Sequence, residues 1–334
     1  MGPIALFDKS FLQSLSTDEA VWFDYFFIPV VCPVFFIETL ADLDKPARHG
    51  KTPEEEVAII AAKTPELSGG PCHFHLELCI GNLLGQPVPM DGRIPMAGGR
   101  PVKVAGKVST VMEVTPEADA FQRWKASHFL DVERRHARGW RAALEAVDLS
   151  GLQRAMNAMG VTPKTCKSLS DARYTAGHVV AALTKSTGRF ALALEALGIP
   201  RDARTPTTER WKSIGKPSLR AFAPYAEHIL TVEFFFRIAV GANLIAATRA
   251  SNRADVAYLL YAPFCQAFVS WDRLHRVCAP HFLRADQTFV WGPQLKGSLK
   301  AINEHFFCIT AGNASRFNLP VCRHTSRRSG GCCT

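Results

Sequence analysis

The chain reads as an α/β protein, and three observations carry that reading. A short apolar run, Ile4-Ala5-Leu6-Phe7, ends on Asp8 and passes into an apolar helical pattern from Phe11. Strand, helix, helix, strand and helix patterns follow one another within the first 45 residues, as in a tightly wound sheet. Near the other end, Gln266–Ser270 repeats the opening signature, an apolar strand with an acid, Asp272, just past its tip. In open α/β sheets ligands bind beyond the C-terminal strand ends, so both acids stand where chemistry is expected. Either one alone serves equally well as a helix cap.

Taken in order, Ile4–Phe7 is the first strand and Ser10–Leu15 a short helix. Ser16 stands three residues ahead of Glu19, a capping box that opens a helix over Thr17–Phe27. Pro29 stops that helix, Val30–Cys32 is a brief strand, and Pro33 starts a helix over Val34–Leu43 that carries Glu38. Residues 44–70 read as linker around a helix at Glu54–Ala62. Gly85–Lys107 is rich in Gly and Pro and reads as loop, with short strands near Val102–Val104 and Val108–Val111. Glu117–Glu145 reads as one long helix, followed by helices near Leu149–Met159, Ser170–Thr184 and Arg189–Leu197. Gly198–Pro217 reads as a polar connection. Ala221–Ala247 is one or two core helices, and Asn252 caps a helix over Arg253–Tyr261 with Asp255 in its first turn. After the strand at Gln266–Ser270, Arg273 begins another helix. Leu283–Gly292 is loop with a short strand, and Pro293–His305 is a helix. Residues 306–334 read as a disordered or atypical tail, with four arginines and no acid over 316–334.

The 334 residues are enough for a large core, and 47% hydrophobic content with mean hydropathy near zero (+0.02) indicates a globular chain. Tyr25–Ile37 is too short for a membrane span and holds two prolines, while Leu230–Thr248 is interrupted by Glu233 and Arg237, so no membrane partner is expected. No basic segment precedes an apolar core at the N-terminus, so no secretory signal is expected. The ten cysteines are scattered, and several lie in apolar runs, which fits a reducing, cytoplasmic setting. Charge is uneven. Residues 1–45 hold seven acidic and two basic side chains, whereas 120–216 hold seventeen basic and eight acidic. A metal enzyme acting on a polyanion would show this contrast, and so would an ordinary solvated basic surface.

Four acids occupy comparable places: Asp8 and Asp272 at strand ends, Glu38 and Asp255 on flanking helices. The 17 residues from Asp255 to Asp272 accommodate a helix, a turn and a strand, which brings one carboxylate near the other. Clustered carboxylates repel and favour a cation. Oxygen ligands at an open site suit Mg²⁺ or Mn²⁺.

These residues resemble the PIN-domain family, metal-dependent ribonucleases with a three-layer α/β/α core. FDKSFL is similar to that family's strand-borne Asp with Ser or Asn two positions on. CPVFFIETLADL is similar to its helix-borne Glu, and ADVAYLLYAPFCQAFVSWDRLH to its C-terminal pair of acids. The resemblance covers about residues 1–45 and 225–292, and it departs from the family in two respects. Far more residues than usual separate Glu38 from Asp255, and Arg-Leu-His follows the last acid. The resemblance implies a core of 1–45 plus 225–305 with a mainly helical insertion over 46–224. It implies phosphodiester hydrolysis, with RNA as the expected substrate, by water activated on Mg²⁺ or Mn²⁺ held by Asp8, Glu38, Asp255 and Asp272. Ser10 would support a ligand carboxylate or a metal-bound water. A protein inhibitor or antitoxin is a conceivable partner. A catalytically silent PIN-like module that binds nucleic acid or protein is the alternative. An Asp-nucleophile phosphohydrolase is a weaker one, because Ser10 stands where that chemistry needs a second Asp.

Cys72, His73, His75 and Cys79 offer zinc-type donors without a standard spacing or a second pair. If Pro71–Leu78 is a strand, the two histidines share a face. Phe121–Lys125 and Glu133–Trp140 mix aromatic and basic residues. The aromatics are expected to face a core, leaving Arg134, Arg135 and Arg138 free to contact phosphate. Gly98-Gly99-Arg100 reads as a turn.

Overall fold

Ala5, Leu6 and Phe7 have no solvent exposure at all, and every residue of Ala267–Ser270 is buried. A strand without a polar face is stable only when helices cover both sides of its sheet. The computed structural model, which describes residues 2–47, 50–66, 69–104 and 107–316, has that arrangement. Strand β1 (Ile4–Phe7) leads into α1 (Lys9–Ser14) and α2 (Thr17–Phe26), then β2 (Ile28–Val31) and α3 (Pro33–Ala41). The capping box before α2 is present: Ser16 Oγ accepts from Glu19 N at 3.1 Å, and Glu19 Oε2 accepts from Ser16 N at 2.7 Å. Ser16→Ala is expected to cost about 1 kcal/mol, read as a shift in urea midpoint; no shift would mean that packing alone sets this helix start.

Helix α4 (Pro53–Lys63) precedes a two-residue strand, β3 (Gly70–Pro71), and α5 (His75–Leu83). A hairpin of β4 (Gly99–Val104) and β5 (Lys107–Met112) stands apart from the main sheet. Pro71–Leu78 is therefore not a strand beyond Pro71; the chain turns into α5 at His75, so His73 and His75 share no strand face.

Two expectations in the middle of the chain are corrected. Glu117–Glu145 is not one helix but two, α6 (Pro116–Lys125) and α7 (Asp131–Glu145). The chain breaks at Ser127, whose φ is +58°, and restarts where Glu133 Oε2 accepts from Leu130 N at 2.8 Å. Helices α8 (Leu149–Ala158), α9 (Leu169–Ala182) and α10 (Thr187–Ala196) follow. The polar span Gly198–Pro217 then holds a helix, α11 (Arg201–Ser213). Its buried stripe is thin, Thr207 and Trp211, and the Trp211 ring stacks on Phe190 with centroids 4.3 Å apart. A single aromatic anchor inside a charged, proline-bearing segment gives little periodicity to read.

Short α12 (Leu219–Phe222) leads to α13 (Pro224–Gly241), the most deeply buried long helix described, packed against α5, α8 and α9. Helix α14 (Asn252–Ala257) tightens into a 3₁₀ turn over Tyr258–Phe264. Strand β6 (Ala267–Ser270), α15 (Arg273–Cys278), β7 (Thr288–Trp291) and α16 (Gly292–Arg316) complete the described chain. Helix α16 runs beyond His305, since no proline interrupts it. Residues 306–316, expected in the tail, are therefore helical, and 317–334 lie outside the described residues.

The sheet has five strands in the order β3-β2-β1-β6-β7, all parallel. Leu6 pairs with Val30 on one side and Phe268 on the other. The fold is thus mixed α/β with a central parallel sheet, compatible with three layers. Both chain ends build it, and β3 shows that the span 46–224 supplies an edge strand as well as helices. Phe7, Phe11, Phe23 and Phe35 interlock edge-to-face in the core, at centroid distances of 5.0–5.6 Å. No helix among the described residues is long and apolar enough to cross a membrane.

Candidate active site at the reversal of strand order

From β1 the chain builds outward through β2 and β3, then returns to add β6 and β7 on the other side. The order therefore reverses between β1 and β6, and the crevice beyond their C-terminal ends is where open α/β sheets bind ligands. Asp8 follows β1 and Asp272 lies two residues past β6. Glu38 is on α3 and Asp255 on α14. The four predicted acids thus reach one end of the sheet, in one electrostatic neighbourhood. Asp255 feels Glu38 and Asp272, and Glu38 feels Asp8.

Asp8 is 3% exposed and fully engaged. Its Oδ1 accepts from Phe11 N at 2.9 Å, capping α1, and from Trp271 N at 3.4 Å. Its Oδ2 accepts from Ser10 Oγ at 2.6 Å and Ser270 Oγ at 2.7 Å. A carboxylate offers about four lone-pair positions, and here all are used. Burial raises its pKa, but hydrogen bonding and charge from His275 with the two serines outweigh burial and hold it low.

The sequence reasoning missed His275, which lies at the centre of this end of the sheet and is 1% exposed. Its Nε2 is 2.6 Å from Asp255 O, its Nδ1 is 2.8 Å from Ser270 Oγ, and Asp8 Oδ2 is 3.5 Å away. Ser270 spends its one proton on Asp8 and accepts from Asp272 N at 2.9 Å. Both ring nitrogens therefore face acceptors, which only the doubly protonated imidazolium satisfies. Burial opposes that charge, yet Asp8 and Asp255 push the pKa up to about 9. His275 was visible in the sequence only as an unusual residue three positions after the last acid.

Lys9 is a second internal cation. Its Nζ donates to Asp42 Oδ1 at 2.8 Å and to Glu38 O at 3.0 Å, and Lys45 also reaches Asp42. Burial lowers the Lys9 pKa, but Asp42 and Glu38 reverse the direction and hold it raised. Tyr258 accepts from Lys9 N at 3.3 Å and donates to Glu38 Oε2 at 2.6 Å. Burial nonetheless pushes the Glu38 carboxyl up.

The remaining acids are less satisfied. Asp272 caps α15 through Oδ1, which accepts from Leu274 N at 2.6 Å. Among the described residues nothing hydrogen-bonds Asp272 Oδ2, Glu38 Oε1 or either oxygen of Asp255. Burial, with Glu38 and Asp272 adding to it, pushes the Asp255 pKa up to about 7. These are the oxygen donors that Mg²⁺ and Mn²⁺ take. The geometry does not fit a bound ion, however. Among the described residues no three His, Cys, Asp or Glu side chains are disposed to hold one, and Asp8 has no lone pair to spare. For the same reason Asp8 is not presented as a nucleophile.

The other candidates are placed as follows. Arg134 is tied to Glu54 at 2.5 Å, whereas Arg135 and Arg138 are exposed. Phe121 and Trp124 are buried, with Trp124 stacked on Phe36. Cys72 and Cys79 are buried, and His75 Nδ1 meets Tyr261 Oη at 3.2 Å. Comparison with protein-family models, with curated proteins and with solved structures returns no match.

Proposed function

We propose that the chain is a PIN-like nuclease that hydrolyses phosphodiester bonds, with RNA as the substrate and Mg²⁺ or Mn²⁺ as the cation. The observation that carries this reading is the gathering of Glu38, Asp255 and Asp272, with unbonded carboxylate oxygens, at the reversal of strand order. Once all four carboxylates are ionised they outnumber Lys9 and His275, and that excess would favour a cation. A divalent ion, when bound, would activate water and neutralise the scissile phosphate. Among the described residues the carboxylates do not stand as a preformed cage. The chain's own contribution is rigidity: Ser10, Ser270 and His275 fix Asp8 and with it the junction of β1, β6, α14 and α15.

Single-stranded RNA incubated with Mn²⁺ or Mg²⁺ is expected to be cleaved, and Asp272→Asn or Asp255→Asn to slow cleavage about 100-fold or more. Asparagine caps a helix as well as aspartate does, so Asp272→Asn leaves α15 intact. Cleavage that survives excess chelator, or persists in both variants, would sink the proposal.

One observation favours the silent-module alternative. Asp8 is saturated, and its charge is met from within the protein by His275. That reading predicts salt-sensitive association with RNA or a protein and no turnover with any divalent ion, so the same assay decides between the two.

A further inference from the structure

Beside the acidic cluster lies a cavity of about 300 Å³ that nothing above uses. Its walls include Ile37 on α3, Phe74 and His75 at the start of α5, Trp140 on α7, and Arg253 and Ala254 on α14. Ile37 and Ala254 are the chain neighbours of Glu38 and Asp255, so the cavity is walled by the two helices that carry those acids. Phe74, His75 and Trp140 come from the span 46–224, which the PIN-like core does not require.

We propose that this cavity seats one base of a single-stranded RNA whose backbone runs past the acidic cluster, and that it prefers the carbonyl-bearing bases guanine, uracil and cytosine over adenine. The proposal rests on the nuclease reading for the polymer that carries the base. Three features support it. The volume is at the small end of small-molecule sites, and the lining is mostly apolar with few polar groups, as such sites are built. Phe74 and Trp140 are each 37% exposed, which leaves aromatic surface for a base to stack on. The polar group left over is His75 Nε2, which lacks a partner among the described residues. Tyr261 Oη accepts from His75 N at 3.2 Å, and the partner that remains for its own proton is His75 Nδ1, also at 3.2 Å; with Nδ1 accepting that proton, Nε2 carries the ring proton and is a donor. Burial and the Arg253 charge lower the His75 pKa to about 4, so the ring is neutral near pH 7. Arg253 Nη2 holds Glu233 at 2.6 Å and its Nη1 is buried, so the donor that faces a base is His75. An unpaired donor selects a base with a carbonyl acceptor, which guanine, uracil and cytosine carry and adenine lacks. An adjoining hollow shares Ile37 and Trp140 and adds Arg135, whose exposed guanidinium can meet a neighbouring phosphate.

The test titrates the full chain, in chelator so that nothing is turned over, with the four ribonucleoside 5′-monophosphates, followed by calorimetry or NMR. GMP, UMP and CMP are expected to bind saturably and about tenfold tighter than AMP. Ala143 lines both hollows and is exposed, so Ala143→Trp fills the space with little effect on the melting temperature and should weaken GMP, UMP and CMP at least about tenfold. His75→Phe keeps a ring but loses the donor, and should level the preference among bases. Binding of none of the four nucleotides, or affinities unchanged in folded Ala143→Trp, would overturn the proposal. The outcomes separate it from the nuclease reading. Nucleotide binding lost in Ala143→Trp, with no cleavage of RNA by the wild type, leaves the base site standing and removes the nuclease. Metal-dependent cleavage without nucleotide binding or base preference does the reverse.

Discussion

Asp8→Ala is expected to cost about 3–5 kcal/mol of stability, the range for breaking a buried charge pair by removing one partner. Alanine would leave the His275 imidazolium, 1% exposed, without its counter-charge. It would also orphan the donors on Phe11 N, Ser10 Oγ and Ser270 Oγ, and unpaired buried donors are costly in their own right. Urea unfolding at pH 7 reads the effect as a lower midpoint at unchanged slope. A loss under about 1 kcal/mol would mean that Asp8 is dispensable to the fold. The pair should also be coupled. The double variant Asp8→Ala with His275→Leu removes both charges, so it should lose about 1–3 kcal/mol less than the two single losses added together. Strict additivity would mean that the two side chains do not interact. A practical consequence concerns activity. Lost cleavage in an Asp8 variant would not distinguish chemistry from unfolding, whereas Asp255 and Asp272 carry oxygens that the fold leaves free.

The parts of the fold legible in the sequence are those where local pattern and global position agree. The run ending at Phe7 and the run ending at Ser270 are short, wholly apolar and followed by helix starts, and they pair side by side as β1 and β6. The Ser16–Glu19 box forms as written because a cap needs only three residues of local chain. Pairing that depends on distant partners was not legible. Gly70 and Pro71 hold no strand pattern, yet β2 recruits them to the sheet edge through Val30 and Val31. In α11 one buried tryptophan outweighs a polar, proline-bearing sequence. The break between α6 and α7 depends on Glu133 turning back to Leu130 and also meeting Arg123 at 2.6 Å.

At the site, the four acids were legible by position but their inequality was not. Asp8 differs from Asp272 because Ser10, Ser270, Phe11 N and His275 surround it, and two of those four, Ser270 and His275, lie at least 262 residues along the chain from Asp8. Lys9, next to Asp8, and His275, in the Arg-Leu-His that follows Asp272, turn out to be cations inside the cluster. A site that carries its own positive charges needs less from a metal to hold together, which is why geometry and donor chemistry point in different directions here. Metal titration by calorimetry would therefore report on Glu38, Asp255 and Asp272 more than on Asp8.

Stability should fall as pH rises, most steeply between about 6.5 and 9. His275 has an ordinary pKa near 6.5 when unfolded and about 9 when folded, with Asp8 and Asp255 raising it against burial. A basic group whose folded pKa is raised contributes its full stability below the unfolded value and loses it as pH rises through the folded one. The shift corresponds to about 3 kcal/mol, and the depressed Asp8 carboxyl expresses the same pair, so it is not counted again. Asp255 acts in the same direction at lower pH. Its folded pKa, about 7, lies above the ordinary aspartate value of 3.8, so the folded state holds a proton that the unfolded state releases, and ionising it also reduces stability. Urea midpoints measured in chelator from pH 5 to 9.5 should thus decline through two overlapping segments. His275→Leu should remove the upper segment, and Asp255→Asn should remove the lower one while leaving the protein more stable than wild type at pH 8. A midpoint that is flat, or that rises between pH 6.5 and 9, would show that His275 is neutral in the folded protein. In that case a different proton arrangement would have to satisfy Asp255 O and Ser270 Oγ at 2.6 and 2.8 Å.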